Sequence, residues 1–382
     1  MKIQNLFCLL DYRKYPVIYL LLSSLIFLGL SVWGATKLSV IYDSFPIGPE
    51  HSDIIPNLEL YVRRMMAGEF PYTPMVFETW TVLPTYFPMM WLPYTFSEVL
   101  NIDYRWTAYL GFLAVLALWI WYILRHSNQT LPEISAKIIL PFFMLGYFFD
   151  YEPKVFGHAV ELLPIGYYLL LCLGLMKKNR VWFFALGIVC CLLSRYAFSF
   201  WLPLTLLIFW AEYGFRKTLH LGLWCIGGVL VLYVVPFLMQ DWEILSNGLA
   251  YYKTTAVRQW GLQGWETDGK PYHLFQGLSF SAWFYDNIEG TSLDKMTAAR
   301  NVHAVVSFCA AALLAIGYIL LKKFKLTDNI RLYLMIGLKF YLTFFYGFIY
   351  VPFSYLFMLP LFISVAILFE ITFFVAAERS SK

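Results

Sequence analysis

Charge is scarce in this chain. Asp, Glu, Lys and Arg make up 14% of its 382 residues, against 60% hydrophobic and 20% aromatic, at a mean hydropathy of +0.64. A soluble domain of this length is never so apolar, and the apolar residues come in long runs. The composition therefore predicts an all-α, polytopic membrane protein in contact with membrane lipids. The six cysteines, Cys8, Cys172, Cys190, Cys191, Cys225 and Cys309, lie in or beside apolar runs and never in a large loop. That excludes a disulfide-stapled outer domain and gives no metal-ligand spacing. Also missing are a glycine-rich nucleotide loop, an Asp-x-Asp pair, an internal repeat and a low-complexity stretch. No cofactor, no obligatory metal and no nucleic-acid partner is expected.

Apolar runs predict spans near 16–35, 104–124, 138–150, 156–176, 181–195, 196–210, 218–238, 302–321, 331–350 and 352–376, in one membrane domain over 1–382. Several are shorter than the roughly 20 residues that a perpendicular helix needs. The first follows Arg13 and Lys14 without a small-residue cleavage site, and reads as a retained span. Ten spans with both termini inside put Lys177, Lys178, Arg180, Arg216, Lys217, Lys322, Lys323 and Lys325 in the cytoplasm, as the positive-inside rule requires. Two large outer loops follow, 36–103 and 239–300. The first carries eight acidic residues against three basic ones.

Within the first loop, Leu58, Tyr61, Val62, Met65 and Met66 recur at helical spacing, with Glu59, Arg63 and Arg64 opposite. Pro56 suits a first turn and Gly68 a helix end. Such a helix is too short and charged to span, so it is expected to lie in the interface, apolar side down. Asp53 then stands at its N-terminus, on the wet side, either as a cap or as a catalytic carboxylate. The helix dipole favours its ionised form. After Gly68, Pro84, Pro88 and Pro93 break an aromatic stretch that suits an interfacial or re-entrant element.

Asp53, Tyr61, Gly68, Pro71-Tyr72, Tyr86-Phe87-Pro88 and Leu92-Pro93, in this order, resemble the first periplasmic loop of the GT-C integral-membrane glycosyltransferases. The nearest likeness is to mannosyltransferases that use a polyprenyl-phosphate sugar. Gly157-His158-x-x-Glu161 stands where that family often has Gly-Gln-x-Asn, and Ser194-Arg195-Tyr196 where it often has Lys followed by Pro. The likeness covers roughly 16–240 and fades in the second loop. It implies a GT-C fold in a bacterial cytoplasmic membrane with its active face outside. It also implies inverting transfer of a hexose, such as mannose, from a polyprenyl-phosphate donor to a glycan or lipid-linked acceptor.

On that reading Asp53 is the general base, with Asp43, just after the first span, as runner-up. Arg195, a cation between two apolar runs, either pairs with Glu161 or clamps the carrier phosphate. His158 and Glu161, three apart on one helical face, are expected to hydrogen-bond across helices or meet substrate. Tyr72 and, in the second loop, Tyr251, Tyr252, Lys253, Arg258, Trp260 and Trp265 supply aromatic faces for a sugar and cations for a phosphate, or simply interfacial anchors. Lys339, in a later span, invites the argument made for Arg195, with nearby tyrosines as its simpler explanation. A transporter or flippase of a lipid-linked saccharide is the alternative from another class, although such proteins often carry inverted repeats.

Overall fold

The computed structural model describes residues 16–49, 51–76, 81–126, 130–176, 180–261, 269–271, 274–275, 278–325 and 329–381. Cys8, Arg13, Lys14, Glu50, Glu78, Lys177, Lys178 and Trp265 lie outside them. In chain order the elements are α1 (Pro16–Ser44), α2 (Ile54–Met66), β1 (Met75–Val76), β2 (Thr81–Val82), α3 (Pro88–Trp91), α4 (Thr95–Leu100), α5 (Tyr104–His126), α6 (Leu131–Tyr151), α7 (Pro153–His158) and α8 (Leu162–Met176). There follow α9 (Val181–Leu192), α10 (Trp201–Tyr213), α11 (Phe215–Val229), α12 (Ile244–Gly261), α13 (Ser281–Asn287), α14 (Ser292–Lys323), α15 (Ile330–Gly347) and α16 (Met358–Ser381). β1 and β2 form a small antiparallel pair in which Met75 faces Val82.

Among the described residues, six stretches are long and apolar enough to cross a membrane: Val17–Ser44, Tyr104–Arg125, Leu131–Tyr151, Phe215–Leu238, Ser292–Lys323 and Ser354–Ile371. This is an all-α membrane protein. The other four predicted runs give shorter or more polar helices. α8 and α9 have 15 and 12 residues, and α10 has 13 after a 3₁₀ turn at Tyr196–Phe200. α15 carries Arg331 and Lys339 in its 18 residues, and the Lys339 ammonium donates to Ser364 Oγ at 2.7 Å.

The short helices form the centre. Nearly every α8 residue is buried, and α8 packs on α5, α9, α15 and α16. A helix apolar all round is stable when protein surrounds it, and such a helix need not match the thickness of a bilayer. By contrast α1, α11 and α14 expose rows of large apolar side chains, such as Leu21, Leu25 and Leu28 on α1 and Phe308, Leu313 and Ile316 on α14. These are the lipid-facing helices of a membrane protein. α11 widens into a π-helical segment from Leu230 to Leu238 around Pro236, whose missing N–H cannot bond in a regular helix.

The first loop is smaller than its predicted bounds, because α1 runs on to Ser44. α2 follows; of its predicted apolar stripe Leu58, Tyr61 and Val62 are buried, together with Ile55, while Met65 is half-buried and Met66 exposed. Its apolar face does not lie on lipid: it packs on α3, α4 and the 3₁₀ turn at Leu92–Tyr94. The helix ends at Gly68, whose φ of +76° lets the Gly68 N–H donate to Met65 O and the Glu69 N–H to Arg64 O. The aromatic stretch docks into the bundle. The Met89 N–H donates to Leu193 O at 2.9 Å, and Tyr167 Oη donates to Met89 O at 3.0 Å. Trp91 and Tyr94 are completely buried there.

The second loop has a small core of its own, in which Trp260, Leu274, Phe284, Met296 and Val351 meet. Trp260 Nε1 donates to Tyr350 O at 2.7 Å and so pins the end of α12.

Candidate functional site

Where the two loops meet, a cavity of about 480 Å³ opens at the end of α8. His51–Ile54, Asn57 and Tyr61 form one wall and Leu83–Tyr86 a second. Glu152, Lys154, Val155, His158 and Ala159 form a third, and Tyr251, Tyr252, Thr255, Ala256 and Gln259 of α12 a fourth. Phe353, Ser354 and Tyr355 close the site. The volume is that of a small-molecule site, typically about 300–1,000 Å³.

Asp53 lines this cavity at the head of α2. It stands at the N-cap position, where its carbonyl accepts the Asn57 N–H at 3.0 Å, but its backbone is already helical, at φ −83° and ψ −6°, and its side chain makes no capping bond. Burial pushes its carboxyl above the ordinary aspartate value, while its own backbone N–H and the Asn57 amide pull the other way. The direction is opposite to that expected from the helix dipole, because desolvation is the largest influence on this carboxyl.

Tyrosines build the wall next to Asp53. The Tyr86 N–H donates to Tyr61 Oη at 3.2 Å, and Tyr72 Oη donates to Tyr86 O at 3.1 Å while accepting from Trp91 Nε1. Two buried phenols thus hold the Tyr86 backbone from both sides. Tyr72, expected at the substrate, is buried behind Tyr86 and does not line the cavity. Tyr251 Oη donates to Thr81 O at 3.2 Å, tying α12 to β2.

His158 and Glu161 do not share a helical face. α7 ends at His158, and Ala159 is extended, with φ −135° and ψ 167°. The break turns His158 to the cavity and Glu161 into the protein. The Glu161 carboxylate pairs with the Arg195 guanidinium, which also lies 5.7 Å from the Tyr355 ring centroid. This is the pairing reading of Arg195. Arg195 Nε and Glu161 Oε2 are buried and have no hydrogen-bond partner among the described residues, and the same holds for Tyr168 Oη and Tyr346 Oη nearby.

Asp43, Lys253 and Arg258 are exposed and outside the cavity lining. Asp43 lies in the last turn of α1. On α12 the cavity face is Tyr252, Thr255, Ala256 and Gln259, the i, i+3, i+4, i+7 stripe, and Lys253 and Arg258 fall off it.

Residues not singled out from sequence complete the site. His51 and His158 stack at 6.1 Å with 27° between ring planes, and Phe45 meets His158 edge-on at 5.2 Å. Arg105 organises this corner from below and is 5% exposed. Its Nη1 donates to Phe45 O and Gly157 O at 2.8 and 2.9 Å, and its Nε donates to the Asp103 carboxylate at 2.9 Å. The guanidinium carbon lies 4.3 Å from the Tyr42 ring centroid. Gly157 is needed here, since a Cβ would come within 2.5 Å of Phe45 Cβ and Cγ. The signal was Asp103-Tyr104-Arg105, acid and base two apart at the entry to an apolar run.

Burial, reinforced by the neighbouring His51, Arg105 and Lys154, holds the His158 imidazole below its ordinary pKa. Comparison with protein-family models, with curated proteins and with solved structures finds no match to this chain.

Proposed function

We propose that the protein is an inverting glycosyltransferase of the GT-C type, moving a sugar from a polyprenyl-phosphate carrier to a glycan or lipid-linked acceptor on the outer face of a bacterial cytoplasmic membrane. The observation that carries the reading is Asp53: a carboxylate whose pKa burial has raised, lining a tyrosine-walled cavity at one end of an apolar helix bundle. A general base works best when its pKa approaches the working pH, and burial is the usual means of raising a carboxylate. Tyr86, Tyr252 and Tyr355 supply aromatic faces and hydroxyls of the kind that sugar rings meet.

In the proposed step the acceptor oxygen forms a bond to the anomeric carbon from the face opposite the leaving group. Its proton passes to Asp53. The bond from the anomeric carbon to the carrier's phosphate oxygen breaks with its electron pair, releasing polyprenyl phosphate. Arg195 is already neutralised by Glu161. In this reading it holds the wall behind Tyr355 in shape, and the leaving phosphate needs other cations.

The reading includes ten crossings, in which α8, α9, α10 and α15 join the six long spans. The burial of most of α8 and α9 supports this, since helices sheltered by protein can begin and end within the bilayer.

The test is to incubate purified protein with a panel of polyprenyl-phosphate sugars and acceptor glycans and to follow release of polyprenyl phosphate. Release with at least one donor, dependent on acceptor, supports the proposal. No release from any donor, with protein shown to be folded, removes it.

A further inference from the structure

We propose that the stacked pair His51–His158, together with Lys154, forms a binding subsite for a phosphate group in the cavity, and that filling it draws a proton onto His158. The three side chains line one cavity on the side of the α7 segment. The rings are stacked at 6.1 Å, close enough for an oxyanion to accept from one nitrogen of each. Phe45 packs edge-on against the His158 ring, and Ser52 Oγ donates to the His158 backbone O at 3.3 Å. Behind it, Arg105 on Gly157 O adds positive potential to the corner.

The charges facing this pair are mixed and decide its behaviour. From the first loop come His51 and Asp53; from the α7 segment, Glu152 and Lys154; from α5, Arg105; and from α12, the neutral Tyr251 and Tyr252. Lys37 of α1 and Asp150 of α6 lie on the helices packed behind, bonded to each other at 3.2 Å. With the cavity unliganded, a further cation beside Lys154 and Arg105 is unfavourable, which agrees with the depressed His158 pKa. A phosphate reverses the balance and makes the protonated His158 imidazole one of its donors. Bound protein then holds one more proton than free protein, so affinity for the phosphate monoanion rises as pH falls.

The subsite stands on the cavity geometry. Only the identification of the phosphate with a carrier lipid rests on the glycosyltransferase reading. The chemistry is shared by a lipid phosphate and free phosphate, and the test separates them without turnover. Binding of inorganic phosphate and of polyprenyl phosphate is measured on the full chain in nanodiscs at pH 6.0 and 7.5. The imidazole proton resonances of the same samples are followed on titration.

The expected result is binding of the phosphate monoanion about tenfold tighter at the lower pH, with the His158 resonance moving toward the protonated position. In His158→Gln the pH dependence shrinks, and in His51→Gln and Lys154→Ala binding weakens with its pH dependence kept. Tighter binding of polyprenyl phosphate than of inorganic phosphate identifies a lipid head group, and equal binding identifies a soluble phosphate; both uphold the subsite. Absence of binding by either, or binding with unmoved histidine resonances, overturns it. Phosphate binding without sugar transfer to any acceptor would keep the subsite and discard the glycosyltransferase.

Discussion

Replacing Arg195 by Gln removes the counterion of a carboxylate that is only 3% exposed. Glu161 accepts from Arg195 through Oε1, and its Oε2 has no hydrogen-bond partner among the described residues. The orphaned group escapes the burial of a bare charge by taking up a proton. For a carboxyl of ordinary pKa near 4.3 that uptake at pH 7 costs about 4 kcal/mol, at about 1.4 kcal/mol per pH unit. The figure agrees with the roughly 3–5 kcal/mol lost when one member of a buried pair is removed. Arg195→Gln should therefore lose about 4 kcal/mol of stability at pH 7 but only about 1 kcal/mol at pH 5. Glu161→Gln should be destabilised at both, because an arginine cannot shed its proton in this range. The double variant should recover most of the loss at either pH, since two neutral amides can bond to each other. Reversible unfolding in mixed micelles, followed by tryptophan fluorescence, measures all four corners of this cycle. Equal stability of Arg195→Gln and wild type at pH 7, or no recovery in the double variant, would refute the buried pair. Because Arg195 is assigned to the wall, the stable double variant should also keep most of its activity.

Two further predictions concern the framework. Gly157→Ala should cost about 1–3 kcal/mol, the usual range for overpacking, because its Cβ would meet Phe45 Cβ and Cγ; a wild-type melting curve for Gly157→Ala would contradict the packing. Single cysteines at the exposed Val76 and Glu289, in a chain with Cys309 replaced by Ser, should both react with an impermeant maleimide in intact cells; labelling of either only after lysis would contradict a shared outer face.

The all-α membrane character, the first-loop helix and the Arg195–Glu161 pair were legible because each follows from a local rule. α2 shows a 3.6-residue apolar period and stops at a glycine whose positive φ closes the helix. Arg195 and Glu161 are the charges that apolar runs strand, and each needed the other. Helix lengths were not legible. An apolar run records what avoids water, and α8 avoids it among other helices, so its 15 residues look in sequence like the start of a full span. The direction of α2 failed for a related reason, since its apolar stripe is equally suited to lipid and to α3 and α4. Of the residues singled out from sequence, Asp53 and His158 line the cavity, and Tyr72, Glu161 and Arg195 do not. Lys253 and Arg258 attracted notice by charge, whereas the Tyr252, Thr255, Ala256, Gln259 stripe, readable by spacing, is what faces the cavity. Arg105 was passed over because it stands beside Asp103 at a span's edge, where a charge pair is ordinary. Only the folded chain brings Phe45 and Gly157 to its Nη1.

The claim that Asp53 is the base is tested most directly by Asp53→Asn, which keeps size and removes basicity. Asp53 makes no capping bond, so the change leaves α2 intact, and stability and phosphate-donor binding should stay near wild type. Single-turnover transfer from a donor that the wild type uses should fall on the order of a hundred- to ten-thousand-fold. The acid limb of the wild-type rate profile should lie above the ordinary aspartate range, because the rate fails as pH falls through the raised pKa. Asp43→Asn, an exposed carboxylate outside the cavity, is the matched control and should transfer at close to the wild-type rate. Near-normal transfer by Asp53→Asn, with loss in Asp43→Asn, would show that the base is the other carboxylate; full activity in both would contradict general-base catalysis by either.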